Sequence, residues 1–203
     1  MKTLLAALLF GAACAPAFAQ KPAPENATTA PPRVLKYRFV PQQSSITFEL
    51  PTTFHVIHGK IDAWRGSVEV DPARPGGLKA RIDMRADSIE TGKARRDLDF
   101  RDRMLDAARF PEIVFDGSSY KGNLAAFEPG GVVTADVSGT LTIHGVAKQI
   151  QTNVEAAVLN DHVVVAGAVP VFWKAFGLGD LSRLFVRMKE PMLVVFRLWA
   201  VPE

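Results

Sequence analysis

Apolar and polar residues alternate along several stretches of the chain, most clearly over residues 80–89. Ile82, Met84 and Ala86 fall on one face of an extended chain, while arginine and aspartate alternate on the other face. This period of two is typical of a β-strand with one side in an apolar interior and the other in water. The same alternation recurs further along the chain. The pattern therefore predicts a core covered by β-sheet.

Short strands separated by turn residues follow one another from residue 37 onward. The pattern predicts strands over residues 37–40, 45–50, 54–64, 66–70, 79–89, 112–115, 132–144, 148–159, 162–172 and 192–200. His144-Gly145 and Asn160-Asp161 stand where tight hairpin turns are expected. Many strands with short turns and few helices favour a β-sandwich or a closed barrel.

Two segments do not fit the strand pattern. Residues 94–110 place Leu98, Met104 and Leu105 at near-helical spacing, and acidic and basic residues four apart, as in Asp97 and Arg101, predict ion pairs along a helix. Residues 174–185 contain two glycines and are compatible with a loop or a short helix. A short helical connector between strands is therefore expected.

The first nineteen residues predict a secretory signal peptide. Lys2 is followed by an apolar run over residues 4–13 and by Ala17-Phe18-Ala19, which has the small-x-small form of a cleavage site. Cys14, the single cysteine, lies inside this segment; Gly11 stands where a lipoprotein cleavage box has a large aliphatic residue, so we expect no lipid anchor. The chain should be exported, to the periplasm in a bacterium, without disulfides.

The remaining chain divides into a tether and one domain. Residues 20–33 carry four prolines and no large apolar side chain, which predicts a disordered tether, and residues 34–203 form the predicted domain. Twenty-four basic and 21 acidic residues are interleaved without a basic stripe, so nucleic-acid binding is not expected. After residue 19 no apolar run is long enough for stable membrane insertion.

The sequence shows no carrier for enzymatic or metal chemistry. His55 and His58 are three apart, which on a strand places them on opposite faces, so they cannot share a metal ion. Asp97 and Asp102 could supply a carboxylate pair, but neighbouring arginines lower the pKa of a carboxyl, the wrong direction for an acid at neutral pH. We therefore predict a protein without catalytic activity, bound metal or cofactor.

Large apolar side chains are numerous for so many strands, with thirteen phenylalanines and three tryptophans. A barrel of about eight strands is the size at which the interior either fills with side chains or holds one small ligand. A lipid would need few polar contacts, because each buried methylene contributes about 0.8 kcal/mol. A filled core and a bound apolar molecule both remain open at this point.

Several short motifs resemble, in order, those of the YceI-like proteins. They are SITF (45–48), DSIETG (87–92), RRD (95–97), MLD (104–106), FPEIVF (110–115) and GTLTIHGV (139–146), within a similarity that spans residues 37–200. Each motif alone is weak, and their combination is specific. The chain departs from the family in lacking an aspartate near Pro41 and in a longer, more basic stretch over residues 169–191.

The resemblance implies a mainly β protein, an antiparallel lipocalin-like β-barrel of about eight strands with a short helical connector. It also implies a periplasmic carrier that holds an isoprenoid-type or other long-chain amphiphilic lipid in an apolar pocket, and that can form a homodimer. Combined with the alternation, it predicts a ligand-binding set comprising Phe48, Ile82, Met84, Phe115, Leu141, Ile143, Val154, Phe172, Phe176 and Phe196.

Of that set, Phe115, Phe172 and Phe176 are predicted near the pocket mouth, and Arg95, Arg96 or His144 to meet a polar head group. Two alternatives stay open. One is an enzyme acting on an apolar substrate with catalytic residues on the connector. The other is a filled-core module that contacts a membrane redox partner through a surface patch of Phe172, Trp173 and Phe176.

Overall fold

The computed structural model describes residues 34–71, 74, 76–123 and 127–203, which belong to one compact unit. The predicted signal peptide and tether lie outside the described residues. The strands are β1 (Leu35–Phe39), β2 (Ser45–Pro51), β3 (Val56–Ile61), β4 (Trp64–Val70), β5 (Leu78–Arg85), β6 (Ile89–Glu90), β7 (Glu112–Gly122), β8 (Val132–Ile143), β9 (Val146–Val158), β10 (Val163–Val171) and β11 (Met192–Pro202).

Eight of these strands close into an antiparallel barrel. The ring runs β1-β4-β5-β7-β8-β9-β10-β11 and returns to β1. Closure depends on the short strand β1, in which Tyr37 lies opposite Val68 of β4 on one side and Pro202 of β11 on the other. The predicted antiparallel barrel of about eight strands is confirmed.

The three remaining strands extend the sheet at one end of the barrel. A 3₁₀ turn at Pro41–Gln43 separates β1 from β2, and β2 pairs with the first half of β11. β3 pairs with β2, and β6 pairs with β3 through two residues only. At the other end of the barrel β1 begins and β11 finishes, and the Glu203 backbone N–H donates to the Lys36 carbonyl at 3.0 Å.

The connector between β6 and β7 is helical, as predicted. It comprises an α-helix, α1 (Ala94–Leu98), followed by a π-helical turn, Asp99–Met104. Phe100 and Met104 are buried, but Leu98, which near-helical spacing groups with Met104 and Leu105, is 47% exposed. The wider π-helical turn changes the angle between successive side chains, and the inner face therefore passes through residues 100, 104 and 105. We call the end of the barrel where it lies the connector end.

Ion pairs on the outside of the connector only partly follow the helical prediction. Arg103 pairs with Asp99 four residues earlier, at 3.1 Å. Arg101, in contrast, pairs with its neighbour Asp102 at 2.7 Å. Asp97 accepts a hydrogen bond from the Thr91 backbone N–H at 2.7 Å, so the predicted pair between Asp97 and Arg101 is wrong.

Several predicted strand boundaries differ from the structure. β7 continues to Gly122 because a register shift between Gly117 and Ser119 preserves the pairing but interrupts the alternation. The predicted strand 79–89 is divided by a 3₁₀ turn at Ala86–Ser88, where the Ser88 hydroxyl donates to the Arg85 carbonyl at 2.7 Å. The strand predicted over residues 54–64 is shorter, because β3 covers Val56–Ile61 and Trp64 already begins β4.

Residues 172–191, which we call the cap segment, lie against the connector. Trp173 is fully buried, and its indole N–H donates to the Lys189 carbonyl at 3.1 Å. The Gly179 N–H donates to the Met104 carbonyl at 2.9 Å. Phe176 is also buried, and only Phe172 is exposed, at 54%. The surface patch of Phe172, Trp173 and Phe176 in the filled-core alternative is therefore wrong.

Substitution of Gly179 should separate the cap segment from the connector. A Cβ atom at this position would collide with the Arg103 carbonyl oxygen. We expect Gly179→Ala to lower the free energy of unfolding by about 1–3 kcal/mol, the usual cost of overpacking, measured by urea denaturation. Leu184→Ala in the same segment, at a side chain that is 89% exposed, is the control and should be near neutral. Equal stability of the Gly179→Ala variant and the wild-type protein would contradict this close packing.

Candidate functional site

A cavity occupies the interior of the barrel. The centre of a water molecule can occupy a volume of about 230 Å³ inside it. The whole space free of protein atoms, which includes the part that opens to solvent, is about 1740 Å³. A cavity that holds a single water molecule needs only about 10–15 Å³ accessible to the centre of that molecule. The described side chains therefore leave the barrel hollow.

The strand alternation produces an apolar wall. On β5 the side chains that line the cavity are Leu78, Ala80, Ile82 and Met84, which are every second residue of the strand. Lys79, Arg81 and Asp83 between them lie on the outer face; Arg81, for example, pairs with Asp116 of β7 at 2.9 Å. The surface that the described residues present to the cavity is apolar throughout.

Eight of the ten residues in the predicted ligand-binding set lie in the cavity wall, namely Phe48, Ile82, Met84, Phe115, Leu141, Ile143, Val154 and Phe196. The other two lie outside it. Phe172 is exposed on the surface and Phe176 is buried in the cap segment, because β10 ends at Val171 and the chain then turns away from the barrel wall. That these side chains contact a ligand stays a prediction.

Three phenylalanines of the wall lie over glycines of neighbouring strands. The pairs are Phe48 with Gly59, Phe115 with Gly139, and Phe196 with Gly167. In the last pair, a Cβ atom on the glycine would stand 2.5 Å from the Phe196 ring. Each ring therefore uses the space that a side chain would take on the next strand. Rings that lie along the wall leave the centre of the barrel open.

The two ends of the cavity are lined by different parts of the chain. At the connector end, Phe100 packs against Phe48 with ring centroids 5.6 Å apart, and Met104 and Leu178 complete the wall. At the opposite end, Tyr37 and Phe127 meet edge to face at 6.1 Å. The connector and the cap segment thus contribute to the site together with the strands.

The polar groups on lining residues are directed away from the cavity. The Tyr120 hydroxyl lies 3.4 Å from the carbonyl oxygens of Asp71 and Arg74, and the Thr152 hydroxyl donates to the Ala168 carbonyl at 2.9 Å. Burial raises the pKa of Tyr120 above its ordinary value, so its hydroxyl stays neutral. These groups contribute no charge to the cavity.

The residues predicted to meet a polar head group lie outside the cavity wall. Arg96 donates to the Thr91 hydroxyl and carbonyl, both at 2.7 Å, and is held on the connector. The His144 ring packs in a tilted arrangement against Phe110, with ring centroids 4.2 Å apart, and Arg95 is exposed. The structure therefore brings none of the three to the cavity surface.

The connector carboxylates are likewise remote from the cavity. Asp97 accepts hydrogen bonds from the backbone N–H and hydroxyl of Thr91, and Asp102 faces solvent beside Arg101. The Arg101 guanidinium lowers the pKa of the Asp102 carboxyl. In the described part of the chain, no group of three histidine, cysteine or acidic side chains could hold a metal ion.

Several lining residues were not singled out by the sequence patterns. Tyr37 and Phe39 are two apart on β1 and both line the cavity, so the same alternation that identified Ile82 and Met84 could have identified them. Phe100 and Met104 are four apart on the connector, which also marks one helical face. Leu178 had no such signal, because it lies in an irregular segment that only the tertiary fold brings to the cavity.

Comparison with solved structures identifies the fold. BcnA from Burkholderia cenocepacia is 20% identical and superposes with a TM-score of 0.66 over 80% of this chain and 99% of that one. A polyisoprenoid binding domain from Saccharophagus degradans, implicated in plant cell wall breakdown, is 19% identical, with a TM-score of 0.67 over 83% and 99%.

Sequence comparison extends this similarity. A UPF0312 protein of Pseudomonas savastanoi pv. phaseolicola is 35% identical over 98 residues, which are 48% of this chain and 47% of the relative. The matched region thus spans about half the length of such relatives. The sequence profile of the YceI-like domain matches residues 37–198, a range that includes the whole ring of strands except the ends of β1 and β11. The chain therefore belongs to the YceI-like family.

Proposed function

We propose that this protein is an exported, non-enzymatic carrier that holds an isoprenoid-type or other long-chain amphiphilic lipid inside its barrel. The observation that carries the proposal is the cavity of about 230 Å³ whose described wall is apolar throughout. The similarity to the polyisoprenoid binding domain from Saccharophagus degradans supports the same class of ligand.

The physical chemistry of the cavity is suited to a hydrocarbon chain. A wall without charges or free hydrogen-bonding groups offers nothing to replace the hydration of a polar solute. Each methylene moved from water into the cavity contributes about 0.8 kcal/mol, so ten contribute about 8 kcal/mol before the cost of ordering the chain. Burial of the apolar surface of the chain can therefore supply the binding affinity without polar contacts.

The carrier role and its location rest on separate features. The signal-like pattern of residues 1–19 supports export to the periplasm. Asp97 and Asp102, the carboxylates of the enzyme alternative, point away from the cavity wall and into hydrogen bonds on the connector. A bound chain would therefore meet apolar contacts and no reacting group among the described residues.

Native mass spectrometry of protein purified gently from its own host tests the proposal. We expect a lipid of a few hundred daltons per chain that is removed by organic extraction, and the same spectrum reports whether a homodimer forms. A mass without lipid, together with no uptake when isoprenoid quinones and polyprenyl chains are offered, would overturn the carrier assignment.

An aspartate in the cavity wall should abolish lipid binding. Leu141 on β8 is 6% exposed and lines the cavity, so Leu141→Asp places a charge against the bound chain. The neighbouring Thr142 has the opposite orientation on the same strand, and Thr142→Asp is the matched control. We expect lipid to be lost from Leu141→Asp and retained by Thr142→Asp in native mass spectra. Circular dichroism identifies variants that fold, and a folded Leu141→Asp protein with full lipid content would contradict the assignment.

A change to the Phe196–Gly167 pair should reduce binding without adding a charge. Gly167→Ala places a methyl group 2.5 Å from the end of the Phe196 ring, which must then turn into the cavity. We expect weaker uptake of a polyprenyl chain, by about tenfold, in a titration followed by native mass spectrometry. The double variant Gly167→Ala/Phe196→Leu removes the ring and should recover most of the binding. Unchanged uptake by the single variant would show that the ring position does not limit the cavity.

A further inference from the structure

The cap segment contains a tight hairpin with two exposed apolar residues at its turn. The Arg183 N–H donates to the Val186 carbonyl at 2.8 Å, and the Val186 N–H donates to the Arg183 carbonyl at 2.6 Å. Leu184 and Phe185 occupy the two positions between them and are 89% and 77% exposed. Large apolar side chains at such exposure, held on a hydrogen-bonded turn, are typical of an interaction surface.

A second apolar turn is joined to this hairpin. Phe54, 71% exposed, lies in the turn between β2 and β3. The Thr53 N–H donates to the Arg187 carbonyl at 3.0 Å, and the Arg187 N–H donates to the Thr53 hydroxyl at 3.0 Å. The two turns therefore form one unit at the connector end. We call Phe54, Leu184 and Phe185 the apolar tip.

The chain around the apolar tip is positively charged. Residues 181–189 contain three basic residues, Arg183, Arg187 and Lys189, and no acidic residue. Arg183 pairs with Asp99 at 2.8 Å, but that carboxylate is shared with Arg103 at 3.1 Å and cannot neutralise both cations. Within the described part of the chain, Arg187 and Lys189 form no salt bridge at all. Asp180 and Glu190 flank this stretch, and Glu190 lies 3.8 Å from Lys174. Over residues 174–190 four basic residues still outnumber these two acidic ones. Exposed apolar side chains beside a net positive charge match the chemistry of an anionic lipid surface.

We propose that the apolar tip docks this protein on an anionic lipid bilayer. Leu184, Phe185 and Phe54 would enter the boundary between head groups and acyl chains, with Arg187 and Lys189 against the lipid phosphates. Such a site needs no preformed pocket, because apolar area and electrostatic attraction add in the binding energy. The proposed contact is with the surface of the bilayer. In the described residues no helix has the length and apolar character that a membrane span needs.

The position of the tip connects docking with the cavity. The cap segment is bound to the connector through Arg183 and Asp99 and through the Gly179 N–H and the Met104 carbonyl. Phe100 and Met104 of the connector, and Leu178 of the cap segment, line the cavity. Docking at the tip would thus bring the connector end of the cavity to the bilayer. This part of the inference rests on the proposed carrier function.

Two tryptophan variants of the full chain test which end of the barrel meets the bilayer. Leu184→Trp places a probe at the tip. Leu159→Trp is the matched control, because this leucine is 43% exposed in the turn between β9 and β10 at the opposite end. With phosphatidylglycerol vesicles brominated in the acyl chains, we expect the added fluorescence of Leu184→Trp to be quenched by more than half and that of Leu159→Trp to be unchanged. Equal quenching of both probes, or none at the tip, would overturn the proposal.

Variants that lack the apolar residues of the tip or the basic residues beside it test the same contact by vesicle binding. In flotation with phosphatidylglycerol vesicles, we expect Leu184→Ser/Phe185→Ser to lower the partition coefficient about tenfold, and Arg187→Glu/Lys189→Glu to lower it similarly at low salt. Both variants should keep the lipid seen by native mass spectrometry. If both variants bind vesicles as strongly as the wild-type protein and retain lipid, the docking surface is rejected and the carrier function is unaffected. If the wild-type protein and both variants all lack lipid, the carrier function is rejected.

The same variants distinguish a bilayer from a second copy of the chain. If the tip instead joined two copies, Leu184→Ser/Phe185→Ser would convert a dimer to a monomer in size-exclusion chromatography without vesicles, and the tip probe would show no quenching by brominated lipid. That outcome overturns the proposal.

Discussion

Closure of eight strands into a ring is the constraint on which the rest of the structure depends. An antiparallel barrel of this size has an interior that side chains are just able to fill. The ring fixes the distance across the barrel, so the contents of the interior depend on the size and direction of the inward side chains. In this chain every strand of the ring presents apolar surface to the interior, and a cavity remains.

The direction of the aromatic rings is as important as their number. A phenylalanine that crosses the barrel would fill it, whereas one that lies over a glycine on the next strand thickens the wall. The pairs of Phe48 with Gly59 and of Phe196 with Gly167 are directly opposite in register, so each glycine provides space for the facing ring. The hollow interior is therefore a property of pairs of strands.

The sequence predicted the local features well, because they depend on neighbouring residues. Alternation located β5 and its inward Ile82 and Met84, and His144-Gly145 was correctly placed in a hairpin, where both residues have positive φ angles of 53° and 72°. The family resemblance supplied the barrel and the connector. The eight residues of the predicted ligand-binding set that lie in the cavity wall are all on strands, where alternation decides which face a side chain occupies.

Features that depend on distant residues could not be predicted in this way. The hollow barrel depends on cross-strand register, which a linear pattern does not contain. Leu98 is exposed because a π-helical turn follows it. β7 is longer than predicted because a register shift at Gly117 breaks the alternation without ending the strand. The places of Phe172 and Phe176 depend on how the cap segment packs on the connector, and no local periodicity reports that contact.

Both ends of the described chain lie at the end of the barrel away from the connector. Leu35 of β1 is opposite Val70, and the backbone of Glu203 is bonded to Lys36. An affinity handle, a fluorescent protein or a link to a solid support attached directly before β1 or after Glu203 would therefore leave the connector and the cap segment uncovered. The barrel is thus suited to immobilisation in one defined orientation, with the connector end free in solution.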